Sequence, residues 1–177
     1  MVGFFGHIIR FLNDEQIPYM LSGSMAMSLY TVARSTQDFD FIVELRHEDI
    51  PKIVSYFGKG YYCDEDAILD AVKRKSMFNI LEQATSFKAD FMLLKDDEYR
   101  QTEFARRVPV TMMGLETWVV AGEDLLLSKL IWIQQLQSGR QMEDIKAISK
   151  YPDLDWAYID HWIHKLNLNT FGLLETK

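Results

Sequence analysis

The chain is poor in cysteine, proline, glycine and positive charge, and each shortage excludes something. One cysteine, Cys63, in 177 residues rules out an internal disulfide and a cysteine-built zinc site. It makes a reduced, cytoplasmic setting the default expectation. Four prolines and nine glycines are too few for a fibrous or low-complexity chain, and no Gly, Ser or Pro-rich linker divides it. Lys and Arg number 19 against 26 Asp and Glu, a net charge of −7. Affinity for phosphate backbones comes mainly from Lys and Arg, so no general DNA binding is expected, although a local basic patch stays open. Long apolar runs are missing too. The longest candidate, 125–133, is broken by Lys129, far short of the ~18 residues that span a membrane. The opening MVGFFGHIIRFLNDEQ has neither a basic leader nor a small-residue cleavage site and reads as an amphipathic helix.

What is present is a core-forming composition: 48% apolar and 13% aromatic residues. Residues 19–21 read as a buried strand, and Gly23-Ser24 then leads into a helix over 25–32. Residues 38–45 carry Phe39, Phe41, Val43 and Leu45 in strict alternation, the clearest strand pattern in the chain. Helices are expected over 49–57 and 64–75, the second with Asp64 as N-cap. Strands 78–82 and 87–94, a helix over 96–107 and short strands 108–112 and 117–120 follow. From Gly122 onward the pattern is helical: 123–137, 141–150 and 155–166. The expected fold is mixed α/β (α+β), a sheet flanked by helices. A core of 1–121 carries a helical C-terminal segment, 122–177, packed on it as one unit.

The chemistry concentrates in Gly23-Ser24 and in Arg34-Ser35-Thr36-Gln37-Asp38-Phe39-Asp40. Residues two apart on a strand share a face, so Asp38 and Asp40 project together while Phe39 and Phe41 go to the other side. Adjacent carboxylates repel unless a cation or proton lies between them. Oxygen-only ligands suit Mg²⁺ or Mn²⁺. Taken alone, the pair is equally readable as the solvated edge of a strand. Gly23-Ser24 alone reads as a turn glycine and a helix cap, but its strand-to-helix position also allows close approach of a phosphate.

Together, Leu21-Ser22-Gly23-Ser24-Met25-Ala26 and the Asp38-Phe39-Asp40 strand resemble the polymerase-beta-like nucleotidyltransferase superfamily. The likeness is strongest to small prokaryotic members related to abortive-infection nucleotidyltransferases. It implies that the Gly-Ser turn holds an NTP triphosphate and that the Asp-x-Asp carboxylates hold two metal ions. It also implies a third carboxylate on a neighbouring strand. Asp90, inside the apolar strand Phe87-Lys88-Ala89-Asp90-Phe91-Met92-Leu93-Leu94, is the favoured candidate. Glu82 is the competitor, and pairing of Asp90 with Lys88 is the bland alternative. The catalytic and metal set is thus Asp38, Asp40 and Asp90. Arg34 and Thr36 either orient the strand entry or touch phosphate, with a structural turn equally open.

Lys129 lies on a stripe with Leu125, Trp132 and Leu136 if 123–137 is a helix. Either it snorkels along the core edge or it meets an anion. The resemblance implies a phosphate contact for Lys129, supported by Asp144 in the next helix, and leaves the role of Arg140 open. The expected activity is transfer of an NMP to a hydroxyl with release of pyrophosphate. The acceptor could be a small molecule, a protein or RNA. A non-catalytic NTP- or metal-binding module and an acidic interaction domain are the alternatives. His161 and His164 share a helix face without a third ligand, and Cys63 has no catalytic neighbour, so both are read as structural.

Overall fold

The computed structural model describes residues 2–32 and 36–174. One seven-stranded sheet runs through it, in the order β3-β4-β5-β2-β1-β7-β6. The central strands are β1 (Tyr19–Ser22), β2 (Asp38–Val43) and β5 (Lys88–Leu93). β2 runs antiparallel to β1 and parallel to β5. On the far side of β5 lie β4 (Met77–Glu82) and β3 (Tyr61–Tyr62), while β7 (Leu115–Val119) and β6 (Val108–Met112) extend the β1 edge. The expected mixed α/β class is what the chain adopts.

Alternation on β2 decides the layering. Phe39, Phe41 and Val43 are fully buried on one face, with Ala89, Phe91, Phe78 and Ile80 of the neighbouring strands beside them. Helix α1 (Val2–Asp14) covers this face. Phe4 and Phe5 meet Phe39 with ring centroids 5.9 and 5.4 Å apart. Phe41 and Phe78 stack on Phe91 at 5.4 and 5.0 Å. These rings anchor the fold: truncating one of them to alanine is expected to cost about 3–5 kcal/mol. Helix α3 (Ile50–Tyr56) and helix α4 (Glu65–Arg74), capped as expected by Asp64 on the Ala67 N–H at 3.1 Å, flank it.

The other face carries Ser22, Asp40, Ile42, Asp90 and Met92 in register, and the later helices stand over it. Helix α6 (Gly122–Ile133) packs against α2 (Gly23–Met27), α7 (Gly139–Ile148) and α8 (Trp156–Lys165), and Tyr99 of α5 (Glu98–Ala105) meets Trp162. Among the described residues no helix is long and apolar enough to cross a membrane.

Two expectations need correction. The helix read over 25–32 stops at Met27. Its continuation tightens into i→i+3 turns, with Ser28 Oγ donating to the Met25 carbonyl at 2.6 Å and Thr31 Oγ1 to that of Met27 at 3.3 Å. Hydroxyls bonding back to the chain compete with helix propagation. The stripe expected on α6 holds only in its first half, where Leu125 and Lys129 are buried. Leu126, Leu127, Leu130 and Ile133 enter the core, whereas Trp132 is 47% exposed and Leu136, past the helix end, 61%.

Candidate functional site

The register of β1, β2 and β5 builds the site. Ser22 lies opposite Asp40, Asp40 opposite Asp90, and Asp38 opposite Lys88. Asp38, Asp40 and Asp90 therefore share one face of adjoining parallel strands. Glu82, on β4, falls on the opposite side of the sheet from Asn79, the residue paired with Asp90, and is bonded to Thr85 instead. Alternation thus excludes it from the cluster.

Gly23 explains how the turn and the carboxylates meet. Its φ is +61°, and a Cβ there would lie 1.9 Å from Asp40 Oδ2. Only glycine combines that backbone conformation with so close an approach. Burial first, and then the charges of Asp90 and Asp38, push the Asp40 carboxyl above its ordinary range; Lys129 and Lys88 offset part of this. Thr36 Oγ1 accepts from the Asp38 N–H at 3.2 Å, a turn that sets the strand entry. Arg34 lies outside the described residues.

The residue the sequence reading underweighted is Lys88. Its Nζ lies 2.8 Å from Asp90 Oδ2 and 3.9 Å from Asp38 Oδ1. The ammonium supplies the countercharge between carboxylates that a cation would otherwise supply. The Lys88–Asp90 pair left open by the sequence is present, and it lies in the cluster rather than at a remote strand edge. Asp90 Oδ1 is buried and has no hydrogen-bond partner among the described residues.

These observations test the fit to a divalent cation. The donors are all oxygen, one of them a buried orphan, and Asp40 lacks full countercharge; that set suits Mg²⁺ or Mn²⁺. As the side chains stand, no group of three His, Cys, Asp or Glu among the described residues converges as ligands, and Lys88 bonds Asp90 Oδ2 at 2.8 Å.

Lys129 enters from α6. Its Nζ donates to Asp144 Oδ2 at 2.8 Å and to Gln141 Oε1 at 2.9 Å. The stem is buried, so it does not merely snorkel to solvent; α7 meets it with a carboxylate. Behind it, Arg100 Nη1 donates to Glu103 at 2.7 Å and to Ser128 at 2.6 Å. This network fixes the turn of α6 that carries Lys129.

Two clefts flank Asp40. One, of about 460 Å³, is lined by Ser24, Thr36, Asp38, Asp40, Arg140 and Gln141. The other, of about 540 Å³, runs from Ser24 and Asp40 along Ile42 and Met92 to Met77 and Trp132, with Lys129 in its wall. Both share Ser24, Asp40 and Gln141. Sequence left the role of Arg140 open and did not single out Gln141, since both depend on how α7 docks.

Other signals resolve as packing. Burial pushes the Cys63 thiol up to about 11, which leaves little thiolate at neutral pH. The His161 ring meets Trp162 at 5.4 Å. Arg106, which ends α5, bonds Asp124 at 3.0 Å and lies 3.8 Å over the Tyr158 ring.

No protein-family model and no curated protein sequence matches the chain. Solved structures do. ANT(2")-Ia in complex with adenylyl-2"-tobramycin aligns with TM-score 0.63 and 12% identity, over 94% of this chain and 96% of that one. The lincosamide antibiotic adenylyltransferase LnuA, lincomycin-bound, gives 0.54 and 12%, over 83% and 95%. An antigenic nucleotidyltransferase-like protein from Paracoccidioides brasiliensis gives 0.54 and 15%, over 90% and 83%. The chain thus has the polymerase-beta-like nucleotidyltransferase fold that its Gly-Ser turn and Asp-x-Asp strand implied.

Proposed function

We propose that the chain is a metal-dependent nucleotidyltransferase that moves an NMP from an NTP to a hydroxyl of a small acceptor and releases pyrophosphate. One observation carries the reading: Asp38, Asp40 and Asp90 share a face beside a glycine that leaves room for nothing larger than hydrogen. The nucleotidyltransferase fold supports it, and so do neighbours whose names specify adenylyl transfer to antibiotics.

In this reading Asp38 and Asp40 hold Mg²⁺ or Mn²⁺, with Asp90 as a third ligand. When bound, the metal polarises the α-phosphate and neutralises charge on the leaving group. The triphosphate lies where the two clefts join at Ser24 and Asp40: Gly23 and Ser24 give it backbone access and Lys129 balances its charge from the wall of the larger cleft, while Thr36 lines the polar one. Asp144 keeps Lys129 in place. The acceptor oxygen forms a bond to the α-phosphorus as the bond to the β-phosphate oxygen breaks, and pyrophosphate departs with the electron pair. Asp90 favours loss of the acceptor proton.

Lys88 on Asp90 favours one second reading: a module that binds NTP without transferring it. The experiment separating them supplies each labelled NTP with Mg²⁺ and offers an aminoglycoside, tRNA and a protein acceptor. Label transfer with pyrophosphate release, lost in Asp38→Asn, is the expected result. NTP binding without transfer to any acceptor would establish the binding module instead.

A further inference from the structure

The 540 Å³ cleft differs in chemistry from its polar neighbour. Its floor is apolar strand surface, Ile42 and Met92, and its walls include Leu125 and Leu94. Met77 and Trp132, which also line it, are 51% and 47% exposed. Large apolar side chains left open around a concave surface next to a reactive carboxylate mark a ligand wall. Gly23, Ser24 and Lys129, the triphosphate contacts of the transferase reading, meet this cleft beside Asp40, and a triphosphate does not fit the apolar stretch that runs on from them to Met77 and Trp132. That stretch therefore remains for the acceptor.

Its charges are one-sided. Lys75, Lys95, Arg100 and Lys129 line it against a single carboxylate, Asp40. Arg100 and Lys129 are neutralised by Glu103 and Asp144 within the protein. Lys75 is paired only with an exposed Asp96, at 3.0 Å, and exposed Lys95 makes no ion pair among the described residues. The Leu93 N–H donates to the Ser76 carbonyl at 2.9 Å. Lys75 and Lys95 therefore leave adjoining strands at the same edge, the end of the cleft away from Asp90. Five residue steps, the first three along β5, separate Asp90 from Lys95, roughly 16 Å if extended at about 3.3 Å each. A polycationic acceptor would bring like charge against this edge.

Resting on the transferase reading, we infer that the acceptor is an apolar, drug-sized molecule with a hydroxyl at one end and a carboxylate at the other. The hydroxyl faces Asp40 and Asp90, the apolar body lies between Met77 and Trp132, and the carboxylate meets Lys75 and Lys95.

Three biphenyl probes test this by calorimetric titration of the full chain. Each carries a hydroxymethyl group at one para end. The other para end is a carboxylate, its methyl ester or an aminomethyl group; tobramycin is a fourth probe. The carboxylate is expected to bind about tenfold more tightly than the ester, the equivalent of one charge-assisted contact, and the amine more weakly still. Lys75→Glu/Lys95→Glu, on exposed positions, should erase or reverse that order. Trp132→Ala should weaken all three biphenyls alike. Tighter binding of the amine or tobramycin, an order unchanged in the double variant, or no binding of the carboxylate overturns the inference. Pyrophosphate release is measured in parallel. Release with tobramycin but no carboxylate preference defeats the acceptor class and leaves the transferase standing. Lysine-dependent carboxylate binding without release from any NTP defeats the transferase and leaves the site.

Discussion

Replacing Lys129 separates its part in folding from its part in binding, and the two effects are predictable from its partners. The ammonium sits 2.8 Å from Asp144, with side chains 9% and 2% exposed. A lysine that only snorkels at the core edge would make Lys129→Met neutral or stabilising. The buried pair changes that. Removing the ammonium leaves the Asp144 charge in place, and breaking a buried pair from one side costs about 3 kcal/mol. For a chain of this size that is roughly 6–12 °C in Tm. Lys129→Met/Asp144→Leu removes both charges and keeps volume, so its stability should return to within about 1 kcal/mol of the parent. NTP affinity should not return. Both variants should lose about 1.5–3 kcal/mol, the value of a hydrogen bond to a charged group. The loss should be smaller for the monophosphate, which lacks the β- and γ-phosphates. Thermal unfolding and NTP titration on the three proteins give both quantities. Equal NTP affinity in parent and double variant would remove Lys129 from the phosphate site. Equal stability of single and double variants would refute the energetic coupling to Asp144.

Gly23→Ala should lower stability by more than the 1–2 kcal/mol of a left-handed backbone alone, because its methyl would overlap Asp40; thermal unfolding with and without Mg²⁺ should show the Mg²⁺ gain lost as well. Asp40 has a folded pKa above its ordinary value, so its contribution to stability is present at low pH and lost as pH rises through the raised pKa. Asp40→Asn should therefore stabilise the metal-free protein at pH 8 and confer no gain at pH 4, as urea titrations at the two pH values would reveal. Lys88→Met frees Asp90 and Asp38 from their internal cation, and Mn²⁺ affinity by electron paramagnetic resonance should rise about tenfold or more; unchanged or weaker affinity would mean the ammonium does not compete with the metal.

Much of this arrangement was legible residue by residue. The alternation of β2 placed Asp38 and Asp40 together because one-residue slippage would expose Phe39 and Phe41. Asp90 was legible because a carboxylate inside an apolar strand needs a reason. Other features depended on partners distant in sequence. The strand Tyr61–Tyr62 was not legible, since a pair of residues carries no period; its pairing with Leu81 and Glu82 makes it a strand. Lys88 was readable only as a local partner for Asp90, and the parallel register with β2 is what also brings it to Asp38. Trp132 belonged to an apolar stripe that sequence cannot orient, and its exposure on the cleft follows from how α6 docks over the sheet.

The central claim is that Asp38 and Asp40 form the metal-dependent nucleotide site. Calorimetric titration of each NTP, with and without Mg²⁺, into the parent and into Asp38→Asn/Asp40→Asn tests it most directly. At least one NTP is expected to bind the parent only with Mg²⁺, and to lose about a hundredfold or more in the variant, the equivalent of two lost charge-assisted contacts, while the fold survives. NTP binding that is indifferent to Mg²⁺ and intact in the variant would contradict the account.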